Sequence, residues 1–245
     1  MTALARTAPV PLDLSRRSGQ TEWLDDADLH PDELERVLRD LARFNGAMFG
    51  HRAVIAFLLR AAARAEKGRP LTVLDVGSGY GDLLRATRGA FRKRGLPIRL
   101  IGVDLSRETI RIAEAATDAA DEIAYHAGDV FAFLPPGPID VVVSSLLTHH
   151  MSDDMIIAFL RFMEQTARTG WLIYDLQRHV VPYAFIGLMG KLTRLHPMVI
   201  HDGRISVTRS LTRAEWNERL DAAGIPREAV DLRWFLFRFV IERLR

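Results

Sequence analysis

The stretch Val73-Leu74-Asp75-Val76-Gly77-Ser78-Gly79-Tyr80-Gly81-Asp82 governs how the rest of the chain is read. A strand-type run ends in three alternating glycines, and Asp82-Leu83-Leu84 then opens an amphipathic helix. Glycine lets the backbone turn sharply and lets a ligand lie directly against it. The helix start adds unpaired N–H groups. A turn of this kind, at the carboxyl end of a parallel strand, is a site for a nucleotide-like ligand. A dinucleotide turn needs Gly-x-Gly-x-x-Gly. Here the third glycine comes one residue early, and Asp82 stands where the phosphate-binding turn would have glycine. A carboxylate there repels a pyrophosphate and suits a ligand bearing an ammonium and a sulfonium.

Outward from this turn, short apolar runs alternate with amphipathic stretches. Strands are predicted at Leu71–Val76, Arg99–Val103, Ile123–His126, Ile139–Ser144 and Trp171–Tyr174. Helices are predicted at Asp82–Arg92, Ser106–Ala119 and Asp153–Arg168, the last with Met155, Ile156, Phe159, Leu160 and Met163 on one face. Such alternation implies parallel strands joined by right-handed crossovers. Before it, Pro31 starts a helix whose Leu34, Val37, Leu38, Leu41 and Phe44 recur at helical spacing, and a second helix runs from His51 to Glu66. After it, Val181–His196 reads as a helix and His201–Arg209 as an irregular or strand-like polar piece. Thr212 and Glu215 form a capping box for one more helix. Val230–Leu244 reads as two strands, the last antiparallel.

Further motifs follow in register. Ile101-Gly102-Val103-Asp104 ends the second strand, where a carboxylate can accept from both hydroxyls of a ribose. Gly128-Asp129-Val130 follows the third strand, and Ser144-Ser145, then His149-His150, follow the fourth. In this order and spacing the set resembles the class I S-adenosylmethionine-dependent methyltransferases, strongly over Leu71 to Tyr174. More narrowly it is similar to bacterial small-molecule methyltransferases acting on quinol, phenol or polyketide-type rings. The likeness implies an α/β, Rossmann-like, doubly wound, mostly parallel seven-stranded sheet with an antiparallel C-terminal strand and an N-terminal helical cap. Residues 1–20 would be a flexible tail, 21–69 the cap, and 70–245 the methyltransferase domain, with an inserted lid at about 180–209. The cofactor implied is S-adenosyl-L-methionine. Asp75, Gly77, Ser78, Gly79 and Gly81 would line its methionine part. Asp104 with Leu105 would hold the ribose and Asp129 with Val130 the adenine, and Ser145 and Leu146 would lie beside the sulfonium.

Methyl transfer from a sulfonium is an in-line displacement, mainly a positioning task. A phenol or alcohol acceptor must also lose its proton, which a neutral imidazole can take. His149 is the foremost candidate, oriented by Asp175, with His150 second; capping of the next helix is the alternative role. Arg178, His179 and Tyr183 would orient the acceptor, or else cap a helix and carry surface charge. Solvent-exposed loop positions are expected for His201 and Asp202. No metal site is expected, because the histidines and carboxylates lack dense ligand spacing such as His-Glu-x-x-His.

The 245 residues are 48% hydrophobic and 26% charged, enough to bury a core without staples. The absence of cysteine excludes disulfides and thiolate chemistry and suits the cytoplasm. A net charge of +2, from 33 basic and 31 acidic residues, is not the field of a nucleic-acid binder. No apolar run reaches the roughly 20 residues of a spanning helix. The expected function is methylation of a small-molecule acceptor, most readily at a phenolic, quinol or polyketide-like oxygen, by a monomer or homodimer that binds neither nucleic acid nor membrane. N- or C-methylation of a heteroaromatic molecule, an RNA or protein methyltransferase, and a non-catalytic adenosyl-ligand-binding protein are the alternatives.

Overall fold

A computed structural model describes residues 12–26, 29–66, 68–193 and 195–245. The chain begins with a short helix α1 (Trp23–Asp26), then α2 (Pro31–Ala47) and α3 (Gly50–Arg64). The alternating part is β1 (Leu71–Val76), α4 (Asp82–Arg92), β2 (Ile98–Asp104), α5 (Arg107–Ala115), β3 (Ile123–Ala127), β4 (Val141–Ser145), α6 (Asp153–Thr166) and β5 (Gly170–Leu176). Two helices follow, α7 (Val180–Leu192) and α8 (Pro197–Arg209), then α9 (Arg213–Ala223), β6 (Asp231–Phe235) and β7 (Arg238–Leu244). The seven strands form one sheet in the order β3-β2-β1-β4-β5-β7-β6. β1 to β5 are parallel, β7 runs antiparallel to β5, and β6 pairs antiparallel with β7.

Both faces of the sheet are covered, and alternate strand residues feed the two sides. Val73, Leu100, Val141 and Leu172 pack against α3 and α4 through Val54, Phe57, Leu84 and Phe91. Leu74, Ile101, Val142 and Ile173 pack against α6 and α9 through Phe159, Leu160, Trp216 and Leu220. Val54, Phe57 and Trp216 are wholly buried. Burying one such aliphatic or phenylalanine side chain contributes about 1.5–3 kcal/mol. The capping box of Thr212 with Glu215 forms as the sequence predicts, and Gly224 closes α9 in the left-handed conformation. No single helix among the described residues is long and apolar enough to cross a membrane.

Four expectations are corrected. His201–Arg209 is not irregular; it is most of α8, a helix started by Pro197 and capped by His196 on the Met198 amide. Its buried face includes Asp202 and Ser206, so an apolar stripe alone does not reveal it. Asp202 is therefore no solvent-exposed loop residue: its carboxylate accepts from the Trp23 and Leu24 amides, at 2.9 and 3.0 Å. Met155 is exposed, unlike the other residues assigned to its face of α6. Residues 1–11 of the expected tail lie outside the described residues, but 12–20 are pinned to the domain. Ser18 donates to the Thr208 carbonyl at 3.0 Å. Arg17 reaches the Arg209 carbonyl and Asp153, both at 2.7 Å.

Candidate active site

The carboxyl ends of β1, β2 and β4 face α1, α2 and the start of α3 across a cleft of about 830 Å³. That is room for a small-molecule ligand and a partner beside it, since such sites run to roughly 300–1,000 Å³. Its floor is the glycine turn. Gly77, Gly79 and Gly81 have φ of 71°, 51° and 73°, the left-handed region that favours glycine. A Cβ at Gly77 would lie 2.9 Å from Leu147, whereas one at Gly79 would meet nothing within 4 Å. The main chain at Gly79 is thus open to a ligand.

Asp104 ties this turn to β2. One carboxylate oxygen accepts from the Gly79 amide and the other from the Ser106 amide, each at 3.0 Å. Each oxygen retains capacity for a further donor. Asp75 is buried, and burial, reinforced by the charges of Asp82 and Asp104, pushes its carboxyl well above the usual range. Asp75 Oδ1 and Ser78 Oγ are buried without hydrogen-bond partners. Buried polar atoms ordinarily have partners, so these two are fitted to a ligand. Leu105, Ser145 and Leu146 also line the cleft, Leu146 at φ 58°. Asp82 is held by His51 Nε2 at 2.7 Å. These groups fit a nucleoside carrying hydroxyls and a cationic tail. Asp129 and Val130 are not among the lining residues: Val130 is buried in the core, and Asp129 caps its own turn through the Phe131 amide at 2.9 Å.

The opposite wall is apolar. Leu24, Leu29, Leu34, Leu38 and Leu41 contribute it from α1, the following loop and α2. No residue of α7 or α8 is among those lining the cleft. α8 instead supports the cap from behind, where Met198 and Val199 pack on Val37, Trp23 and Leu41. The expected lid is thus two helices laid outside the cleft, and the covering element is the N-terminal cap.

His149 and Asp175 meet as expected, Nδ1 to Oδ1 at 2.7 Å. Both are almost fully buried, and neither lines the cleft. Asp175 also accepts from Thr148 Oγ1, the His149 amide and the Leu176 amide. Its burial alone would raise its carboxyl, but the His149 charge and these donors outweigh that and hold it at about 2. The other ring nitrogen of His149 points at Glu22, with Nε2 to Oε1 at 3.5 Å. His150 does line the cleft. Its Nδ1 is 3.2 Å from Asp25 and its Nε2 3.8 Å from Glu22. Arg209 from α8 closes the cluster, donating to the His149 and His150 carbonyls at 3.2 and 3.3 Å and to Asp25 at 3.1 Å. Burial, aided by the charges of Asp25 and Asp202, pushes Glu22 up to about 7 against the opposing effects of His150 and Ser206. The nearest ligand atoms of Glu22, His149 and His150 lie within 4.8 Å of one another, a clustering that sequence spacing did not show.

The three acceptor-orienting candidates sit elsewhere. The Arg178 side chain is almost fully buried and fully engaged: Nη2 to Glu215 at 2.5 Å, Nη1 to the Ser210 carbonyl at 2.9 Å and Nε to the Leu14 carbonyl at 3.1 Å. It is a structural clasp on α9 and the N-terminal segment. His179 is exposed and caps α7 on the Val181 amide at 3.2 Å. Tyr183 packs beside Leu176, Ile186 and Val207, under the Arg204 guanidinium. Glu22, Asp25, Asn45 and Arg238 were not legible as site residues. Each reaches the site through a contact far along the chain, such as Asn45 with Arg238, 193 residues apart.

Comparison with known proteins fits this geometry. Residues 73–170 match the family model described as a methyltransferase domain. No protein of curated function matches the chain in sequence. Among solved structures, magnesium protoporphyrin IX methyltransferase from Synechocystis PCC 6803, with bound S-adenosylhomocysteine, superposes with a TM-score of 0.55 at 15% identity, covering 82% of this chain and 83% of that one. Human N-acetylserotonin methyltransferase, in complex with S-adenosylmethionine, gives 0.61 at 14% identity over 88% of this chain and 56% of that one. The plantazolicin methyltransferase BpumL, in complex with a desmethylplantazolicin analogue and S-adenosylhomocysteine, gives 0.54 at 18% identity over 88% of this chain and 98% of that one. The seven-stranded topology is shared with these methyltransferases, and residues 73–170, which carry the glycine turn and Asp104, match a methyltransferase domain.

Proposed function

We propose that the protein methylates an oxygen of an apolar, ring-bearing small molecule, of phenolic, quinol or polyketide-like type, in the cytoplasm. The observation that carries this reading is the two-sided cleft. A polar glycine turn with Asp104 forms one side, and a leucine wall ending at an imidazole forms the other. S-adenosylmethionine, when bound, supplies an electrophilic methyl group on a sulfonium. The chain's part is to bind, orient and handle the proton. Asp104 takes the ribose hydroxyls, and the backbone of Gly77–Gly81 with Asp75 and Ser78 takes the methionine end. Ser145 and Leu146 flank the reacting methyl. The leucines of α1 and α2 hold the acceptor ring and exclude water.

The acceptor proton passes to His150, the imidazole on the cleft wall. Asp25 orients its ring at Nδ1, and the carboxylate charge there stabilises the imidazolium that forms. His149 with Asp175 forms the buried support behind it. The deciding experiment is a panel of phenols, quinols and nitrogen heteroaromatics offered with labelled S-adenosylmethionine, the products located by mass analysis. Label on a ring oxygen is the expected result. Label on nitrogen or carbon, or none on any acceptor while the cofactor binds tightly, overturns the oxygen assignment.

A further inference from the structure

Arg238 opens β7, level with Leu176 at the end of β5, and so lies on the same rim as the cleft it lines. Only 6% of the residue is exposed. Among the described residues its side chain makes one hydrogen bond, from Nη2 to the neutral amide oxygen of Asn45, at 2.7 Å. Nη1 is buried with no partner. The guanidinium stands 5.1 Å from the centre of the Tyr174 ring, and the Tyr174 hydroxyl is likewise buried without a partner. Among the described residues no carboxylate pairs with it. Arg178, the other arginine so deeply buried, has Glu215 and two carbonyls on its fork. A buried charge is ordinarily paired, because taking it out of water without a partner is strongly unfavourable. The position is also built for this side chain: a Cβ on residue 50 would lie 2.8 Å from Arg238 Nη1, so Gly50 leaves the space the guanidinium fills.

We propose that Arg238 anchors an anionic oxygen group of the acceptor, a carboxylate on the ring that is methylated, so that the substrate is an apolar aromatic acid. This rests on the methyl-transfer reading above. The sheet order supports the acceptor over the cofactor as the source of the anion. From β1, which carries the methionine-binding turn, β7 is three strands away, roughly 14 Å at about 4.8 Å per strand. From β4, where Ser145 and Leu146 flank the reacting methyl, it is two strands away, roughly 10 Å. That span fits a hydroxyl and a carboxylate at opposite ends of one or two fused rings. The cleft that Arg238 lines also carries Asp25, Asp82, Asp104 and Glu108, and its two imidazoles, His51 and His150, each face an aspartate, so the guanidinium is the point at which an anion is welcome. Its planar fork matches a carboxylate with two parallel hydrogen bonds.

The test uses the full chain loaded with S-adenosylhomocysteine and titrates, by calorimetry, hydroxybenzoates and hydroxynaphthoates against their matched carboxamides. The acids should bind about ten-fold or more tightly than the amides, the range for a charge-assisted contact. Arg238→Met should erase that preference by lowering acid affinity far more than amide affinity, and Arg238→Lys should keep part of it. Equal binding of acids and amides by the wild type, no binding of any acid, or a preference that survives in the methionine variant overturns the proposal. If Arg238→Met does not fold, the lysine variant decides, and an undiminished acid preference there overturns it. A parallel titration of S-adenosylhomocysteine and 5′-methylthioadenosine, which lacks the carboxylate, identifies the anion's source. A loss confined to the former would assign Arg238 to the cofactor and overturn the proposal. Acids that bind but are never methylated would leave the anchor standing and sink the methyl-transfer reading. Amides and acids methylated alike would do the reverse.

Discussion

Asp104 spends one hydrogen bond of each carboxylate oxygen on the protein, on Gly79 and Ser106 amides, and keeps the rest for a ligand. Asp104→Ala should therefore weaken S-adenosylhomocysteine by about 1.5–3 kcal/mol, the range for hydrogen bonds to a charged group. Calorimetry on the folded variant checks it, and unchanged affinity would remove Asp104 from the site. The two adjacent histidines separate into different roles by what surrounds them. His149 is enclosed between Asp175 and Glu22, so His149→Ala leaves the Asp175 carboxylate buried without its partner. Asp175 keeps its Thr148, His149-amide and Leu176-amide donors, so the loss should stay below the roughly 3–5 kcal/mol of a buried ion stripped of partners, and it should show in urea unfolding. His150 faces the cleft, so His150→Ala should lower turnover roughly 10²–10⁴-fold with cofactor affinity nearly intact, while stability falls only by what the Asp25 bond supplies. If turnover instead survives in the His150 variant, the reaction needs no base there.

At the scale of elements, the cap is held to the domain by a few specific contacts. Asp202 on α8 receives two amides of α1, Ser206 bonds Glu22, and Trp23 stacks on His201 with ring centres 3.5 Å apart. Asp202→Ala should free α1, raising hydrogen exchange over residues 21–47 while β1 and β4 stay protected. Equal protection in both proteins would show that the leucine packing alone holds the cap. The same contacts explain what the sequence could reveal. Strands β1 to β5 and the glycine turn are written in local periods and in glycines at a backbone geometry that other residues rarely adopt, such as Gly77 and Gly81 at positive φ. The His149–Asp175 pair is legible because Asp175 sits at the end of β5 and His149 in the turn after β4, which the parallel topology brings to one rim. The helix α8 is hidden because its buried face spends Asp202 and Ser206 on the cap, where periodicity looks for apolar residues. Glu22 and Arg238 are hidden for a related reason: each is an ordinary charged residue until a distant segment buries it. Arg178 misled in the opposite sense, since its neighbours Glu215 and Ser210 come from a segment that could not be placed against it in advance.

Across the whole molecule, the N-terminal segment and the sheet meet on ionisable groups whose shifts oppose one another, and stability must follow pH accordingly. Glu22, drawn up to about 7 by burial, prefers to be neutral in the fold. Below its ordinary value of 4.5 the carboxyl is protonated whether the chain is folded or not, and its contribution is complete. As pH rises the unfolded chain ionises first, and the contribution is lost by the time pH has passed about 7. Asp175 and Asp25 work in the other direction. Both are held at about 2 instead of 3.8: for Asp175 the His149 charge and donors outweigh its burial, and for Asp25 a hydrogen bond from His150 leads. Their contribution is present above about 3.8 and fades as pH falls through about 2. For these three groups together, stability is greatest near pH 4 and declines toward neutrality, with Glu22 alone accounting for a loss of at most about 3 kcal/mol. The isosteric Glu22→Gln keeps a partner for Ser206 but cannot ionise, which separates this carboxyl from every other titrating group. Urea unfolding of both proteins between about pH 4.5 and 7.5 should show the wild type losing stability relative to the variant across that window. Parallel curves would mean that Glu22 is already ionised in the fold, balanced by Arg209 and His150, and that the cap is fastened by charge instead of by a neutral acid.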